Sequence, residues 1–181
     1  MRGRRDIHLG PGLVGMVLWL GLMALPHSGA AGDLFQRVAP EPGEDESEVI
    51  TRVQIYLDRK LFGPGKIDGA LGEFTRLAVA GYNRRYMKKP DPTNWCQVLR
   101  DAQLGIKSCY VEYTIKEDDL VWVGSVPEKP EDQVGVKYMY YRSLAELVTE
   151  RYHTDWSFLH KLNPGINLDR LKAGDVLTVP N

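Results

Sequence analysis

Cysteine and histidine are the residues of this chain best able to carry nucleophilic or metal chemistry. There are two cysteines, Cys96 and Cys109, and four histidines. A thiol becomes a nucleophile when a neighbouring base or positive field favours its thiolate. Cys96 sits in Asn94-Trp95-Cys96-Gln97 and Cys109 in Lys107-Ser108-Cys109-Tyr110, and neither follows a His-Gly pair. His153 and His160 are seven apart, and no spacing with Asp or Glu resembles a zinc peptidase or amidase site. No pair of carboxylates can be singled out for glycoside hydrolysis, because that chemistry depends on separation in space. The run Lys116-Glu117-Asp118-Asp119 reads as a solvated turn. The expectation is a chain without catalytic residues, metal or cofactor. In an oxidising compartment Cys96 and Cys109 would close a modest loop as a disulfide, which typically contributes about 2–4 kcal/mol; a buried pair of thiols is the alternative.

Residues suited to shaping or touching a ligand fall in two groups. Asp68, Gly69, Gly72 and Thr75 form the first. The Asp68 carboxylate can accept from backbone N–H groups around Gly69 and Gly72, and Thr75 can cap or brace the helix that follows. Tyr141, Ser143, Asn163, Gly165, Ile166 and Asn167 form the second. Amide and backbone groups with an apolar rim suit an N-acetyl sugar. Both groups also have a purely architectural reading, as a turn between helices and as a helix C-cap at Asn163-Pro164-Gly165.

The elements that must position these residues follow from periodicity. Ile50, Val53, Leu57 and Leu61 recur at helical spacing from about Ser47, and Phe62-Gly63-Pro64-Gly65 stops that helix. A second helix is predicted from Glu73 to Tyr86, with Phe74, Leu77, Ala78 and Tyr82 on one face, and a short third one from about Asn94 to Ala102. Tyr110 to Ile115 alternates and is rich in β-formers, which predicts a strand; Leu120 to Val123 is a second short candidate. Val126 to Asp132 breaks regular structure as a linker. Tyr138 to Tyr141 is strand-like. Ser143 with Glu146 makes a capping box for a helix carrying Leu144, Leu147, Val148 and Tyr152. Thr154 or Asp155 caps a further helix through Trp156, Leu159 and Leu162. Val176 to Val179 is a final strand, expected to pair antiparallel with Tyr138–Tyr141.

Composition bounds the rest. The chain has 181 residues, 43% hydrophobic and 26% charged, with net charge -1. That is globular, with no basic field for nucleic acid or anionic lipid. Arg2, Arg4 and Arg5 precede an apolar run from Gly12 to Leu25, then Pro26 and the small residues Ser28 to Ala31. The pattern predicts a signal peptide at 1–31, since the run falls short of the roughly 20 residues that span a bilayer. An uncleaved N-terminal anchor is the alternative. Removing that segment takes three arginines and one aspartate from 23 basic and 24 acidic residues, leaving net charge -3. Residues 32–46 read as a flexible acidic lead-in.

Two resemblances rest on these residues. Gln54-Ile55-Tyr56-Leu57, then Phe62 to Gly69, then Gly72-Glu73-Phe74-Thr75 and Ala78-Val79 resemble the three-helix peptidoglycan-binding domain family, with Tyr82-Asn83 where phenylalanine-glutamine is usual. Leu144 to Tyr152, Leu159, Leu162 to Asn167, and Leu171 to Pro180 resemble a LysM module, a strand-helix-helix-strand unit that recognises N-acetylglucosamine polymers. Its usual glycine-aspartate-threonine is replaced by Tyr141-Arg142-Ser143. The succession is similar to the non-catalytic N-terminal half of cell-wall L,D-transpeptidases, and the sequence ends at Asn181 without the catalytic serine-histidine-glycine-cysteine motif.

The expected fold is therefore α+β. A small three-helix peptidoglycan-binding-like bundle at 47–108 is joined by a short β and linker segment at 109–136 to a LysM-like βααβ unit at 137–181. The resemblances imply an exported, non-catalytic peptidoglycan (murein) binding protein of the periplasm or cell wall that anchors to or senses the wall. Its partners would be N-acetylglucosamine-containing glycan and a cell-wall enzyme, and not nucleic acid. The alternatives are the non-catalytic portion of an L,D-transpeptidase lacking its catalytic domain, and a protein-interaction scaffold.

Overall fold

The computed structural model describes residues 45–181; the expected signal peptide and all but the end of the lead-in lie outside them. Helix α1 (Glu46–Arg59) starts where Asp45 accepts the Glu48 N–H at 2.8 Å, and it buries Ile50, Val53 and Leu57 together with Gln54 and Ile55. Helix α2 (Glu73–Tyr86) has the predicted bounds, yet its inward face is Thr75, Ala78, Val79, Tyr82 and Asn83. Phe74 and Leu77, expected inside, are exposed. The rotation follows from Thr75, whose hydroxyl donates to the Pro64 carbonyl at 3.2 Å and so turns that edge inward. Helix α3 (Cys96–Gly105) runs three residues past its predicted end. Val53, Leu57, Ala78, Val79, Tyr82, Val98, Leu99 and Ala102 form the core these helices share.

Strand β1 (Tyr110–Thr114) pairs antiparallel with β2 (Val176–Pro180), from Tyr110 opposite Pro180 to Thr114 opposite Val176. The expected partner, Tyr138–Tyr141, is therefore wrong: Tyr141 makes only an isolated parallel bridge to Val123. The reason is continuity. Beyond the β1–β2 ladder, Ile115 donates to the Asp175 carbonyl at 2.9 Å and Gly174 to the Ile115 carbonyl at 2.8 Å, which brings buried Ile115 into the core. The predicted strand at Leu120–Val123 is overturned too. Helix α4 (Glu117–Leu120) forms because the Asp119 carboxylate accepts the Lys116 N–H at 2.8 Å, and that carboxylate is buried rather than solvated.

A one-turn helix α5 (Pro130–Gln133) lies in the expected linker. Helix α6 (Leu144–Arg151) is capped by Ser143 and α7 (Trp156–Leu162) by Asp155. In α7, Phe158 and Leu159 are buried while Trp156 faces solvent. A 3-10 turn (Leu168–Arg170) precedes β2. Ile115, Leu144, Leu147, Val148, Leu159, Leu168, Leu177 and Val179 close this second core. The described residues are thus α+β, with seven α-helices and a two-stranded antiparallel sheet.

The two cores are bolted together. Ile67 donates to the His153 carbonyl at 2.7 Å and accepts from the Thr154 hydroxyl at 2.6 Å. His153 Nδ1 lies 2.9 Å from Asp58 Oδ2, and Lys66 pairs with Asp155 at 3.4 Å. Ile55, Ile67, Ile106 and Cys109 form a third, smaller apolar cluster, with Tyr56 and Tyr110 packed against it. No disulfide joins Cys96 to Cys109. Cys96 opens α3 and Cys109 follows its far end, so the length of that helix stands between them. Cys109 instead packs in that small apolar cluster, with its thiol 3.7 Å from the Glu48 carbonyl.

Candidate functional site

The first group of predicted residues converges on one buried side chain. Gln54, 1% exposed, points from α1 into the turn before α2. Its Nε2 donates to Asp68 Oδ1 at 2.9 Å, the Ala70 carbonyl at 3.1 Å and Thr75 Oγ1 at 3.2 Å. Its Oε1 accepts from the backbone N–H of Asp68 at 3.1 Å and of Gly69 at 2.9 Å. The other Asp68 bond is local: its carboxylate accepts from the Ala70 N–H at 2.9 Å. A turn held on both amide atoms leaves few groups to move, and buried amides left unpaired would be costly.

Gly69 is required at its place. Its φ is +69°, and a Cβ would lie 2.3 Å from Ser47 Oγ and 2.9 Å from Thr51 Oγ1 on α1. Gly72 is different, with φ -87° and open space where a Cβ would go. Thr75 is buried with its hydroxyl engaged by Gln54 and Pro64. The Tyr82-Asn83 departure is absorbed locally. Tyr82 donates to Asp101 and sits 3.2 Å from the Tyr56 hydroxyl; burial, then the Asp101 bond, raises its pKa well above the usual phenol value. Asn83 Nδ2 donates to the Asp91 and Asn94 carbonyls at 2.6 and 2.7 Å, pinning the loop into α3.

The second group also centres on a buried amide. Asn163, 4% exposed, donates from Nδ2 to the Leu159 and Thr178 carbonyls, each at 2.8 Å, and accepts the Thr178 N–H at 2.7 Å. It ties the end of α7 to β2. Gly165 takes φ +90° in the turn that follows. Ile166 and Tyr141 pack on the same apolar cluster. The polar atoms of Ser143 and Asn167 cap helices, accepting from the Glu146 N–H at 3.1 Å and the Asp169 N–H at 3.0 Å. The two groups do not merge, because the Asp68 turn meets the α6–α7 connection at His153-Thr154 rather than Asn163.

A third polar cluster was invisible to residue spacing. Asp119, 4% exposed, accepts from Tyr113, from the Lys116 N–H and from Arg151 at 2.9 Å. Burial alone would raise its pKa, but the bonds from Tyr113, Lys116 and Arg151 outweigh it and hold the carboxyl below its usual range. Burial and the bond to Asp119 push the Tyr113 phenol up to about 12. The cluster joins β1, α4 and α6. Its only sequence signal is the acidic run, since Arg151 lies 32 residues away.

Among the described residues, no group of three or more His, Cys, Asp or Glu could hold a metal ion. No described helix is long and apolar enough to cross a membrane. Compared with models of known protein families and with curated proteins, the chain gives no match.

Proposed function

We propose that this chain is an exported, non-catalytic peptidoglycan-binding protein that anchors to or senses the cell wall. In this reading α1, α2 and α3 are a peptidoglycan-binding-like bundle, and β1, α6, α7 and β2 are a LysM-like βααβ unit whose first strand is Tyr110–Thr114. The observation that carries the reading is the Gln54 clamp. The residues that carry the resemblance, Gln54, Asp68, Gly69 and Thr75, join through that one amide instead of scattering over the surface. Asn163 plays the matching part in the second unit. The turns shape the wall-facing surface, and their polar atoms are already engaged within the fold.

That engagement also favours a second reading, a scaffold that binds protein and no glycan. One experiment separates the two. The purified chain is sedimented with insoluble murein beside an albumin control. Binding above the control supports the wall-binding reading, and none removes it in favour of the scaffold.

A further inference from the structure

The loop from Lys116 to Arg142, between β1 and α6, carries rings that neither core absorbs. Tyr141 donates to the Trp122 carbonyl at 2.8 Å and Gly124 to the Tyr141 carbonyl at 2.9 Å, so residues 122–124 and 140–142 run side by side around the Val123–Tyr141 bridge. Val123 and Tyr141 point inward and pack on the second core. Trp122 and Tyr140, the residues just before the bridged pair on each segment, are 46% and 41% exposed. Gly124 lies against Tyr140. A Cβ there would come within 3.1 Å of Tyr140 Cγ, so the ring rests directly on the glycine backbone. Tyr138, two residues before Tyr140, is exposed too.

We propose that Trp122 and Tyr140 form a held aromatic platform that stacks on the apolar C–H face of an amino-sugar ring, with Tyr138 at its edge. The inference rests on the wall-binding reading and names a contact surface within it. A pyranose has one face of C–H groups and a rim of hydroxyls. Flat rings carrying an N–H or O–H at their margin match both. Exposed aromatic residues that cluster, rather than scatter singly, are a feature of binding sites. Charge selects the ligand class. Glu117, Asp118, Asp119, Glu128, Glu131 and Asp132 outnumber Lys116, Lys129, Lys137 and Arg142 in this loop, which disfavours anionic lipid or nucleic acid and suits a ligand face without charge.

The test compares murein sedimentation and titration with soluble N-acetylglucosamine oligomers across single variants of the chain. Trp122→Leu keeps apolar volume but loses the flat ring, and roughly tenfold weaker binding is expected, as for loss of one buried aromatic anchor. Tyr140→Leu should weaken binding similarly, whereas Trp122→Phe should retain most of it. Trp156→Leu, an equally exposed tryptophan on α7, should bind like the wild type. Unchanged unfolding midpoints show that each variant is folded. If the wild type binds and Trp122→Leu binds equally well, the platform is overturned while the wall-binding reading stands. Equal losses in Trp122→Leu and Trp156→Leu would mean general apolar adhesion and also overturn it. A wild type that binds neither murein nor oligomer removes both the platform and the reading beneath it.

Discussion

The Asp68-Gly69 turn and the Lys116–Arg142 loop are built on opposite plans. In the turn, polar atoms face inward: Gln54 links Asp68, Gly69, Ala70 and Thr75, and a Cβ on Gly69 would strike Ser47. In the loop, one buried polar cluster around Asp119 secures the base, while Trp122 and Tyr140 stay half in solvent. A turn recognisable by its residue types is recognisable because sterics and hydrogen bonding restrict those types. That restriction speaks for shape, and uncommitted surface lies where the pattern is weak. The two regions should therefore respond differently to substitution: stability should change at the turn, and binding at the loop.

The largest stability effect is expected at Gln54. Gln54→Ala leaves the Asp68 and Gly69 N–H groups and the Thr75 hydroxyl short of a partner, and should cost about 3–5 kcal/mol in denaturant unfolding. A loss below ~1 kcal/mol would mean the clamp does not hold the turn. Asn163→Ala should cost about 2–4 kcal/mol and raise hydrogen exchange at Thr178, whose N–H it frees.

Gly69→Ala meets both a positive φ and a collision with Ser47 and Thr51, and should cost about 1–3 kcal/mol. Gly72→Ala, three residues on, has open space and a negative φ, and should stay within about 0.5 kcal/mol. Equal costs at the two glycines would break the account of the turn.

The base of the loop is tested by acid. The Asp119 carboxyl is held below its usual range in the fold, so the unfolded chain binds that proton more readily. Its stabilising contribution is present above the unfolded pKa and is lost as pH falls through the lower folded one. Asp119→Asn should therefore flatten the acid limb of the stability curve, measured by thermal unfolding at stepped pH. An unchanged acid limb would remove the carboxylate from the account.

Much of the helical architecture is legible in the sequence. The bounds of α2 and the caps at Ser143 and Asp155 follow from local rules that operate within one turn. The partner of β2 does not. Tyr110–Thr114 and Tyr138–Tyr141 are both β-rich, and the choice is made by Ile115, which joins a core assembled from residues far along the chain. The inward face of α2 was shifted by one residue because the Thr75–Pro64 bond fixes its rotation, which periodicity cannot register. Asp119 looked solvated because its partner Arg151 lies on another helix. Both Leu120–Val123 and Tyr138–Tyr141 read as short strands, but that they meet each other, through the single Val123–Tyr141 bridge, is not written in either segment.

The most direct measurement is amide and indole mapping by NMR as soluble murein fragments are added to the isotope-labelled chain. The account predicts shifts centred on the Trp122 indole N–H and the amides of Trp122 to Gly124 and Tyr138 to Arg142, with the Gln54 side-chain amide nearly still. Shifts centred on Asp68 to Thr75 and Asn163 to Asn167, with the loop unmoved, would contradict it.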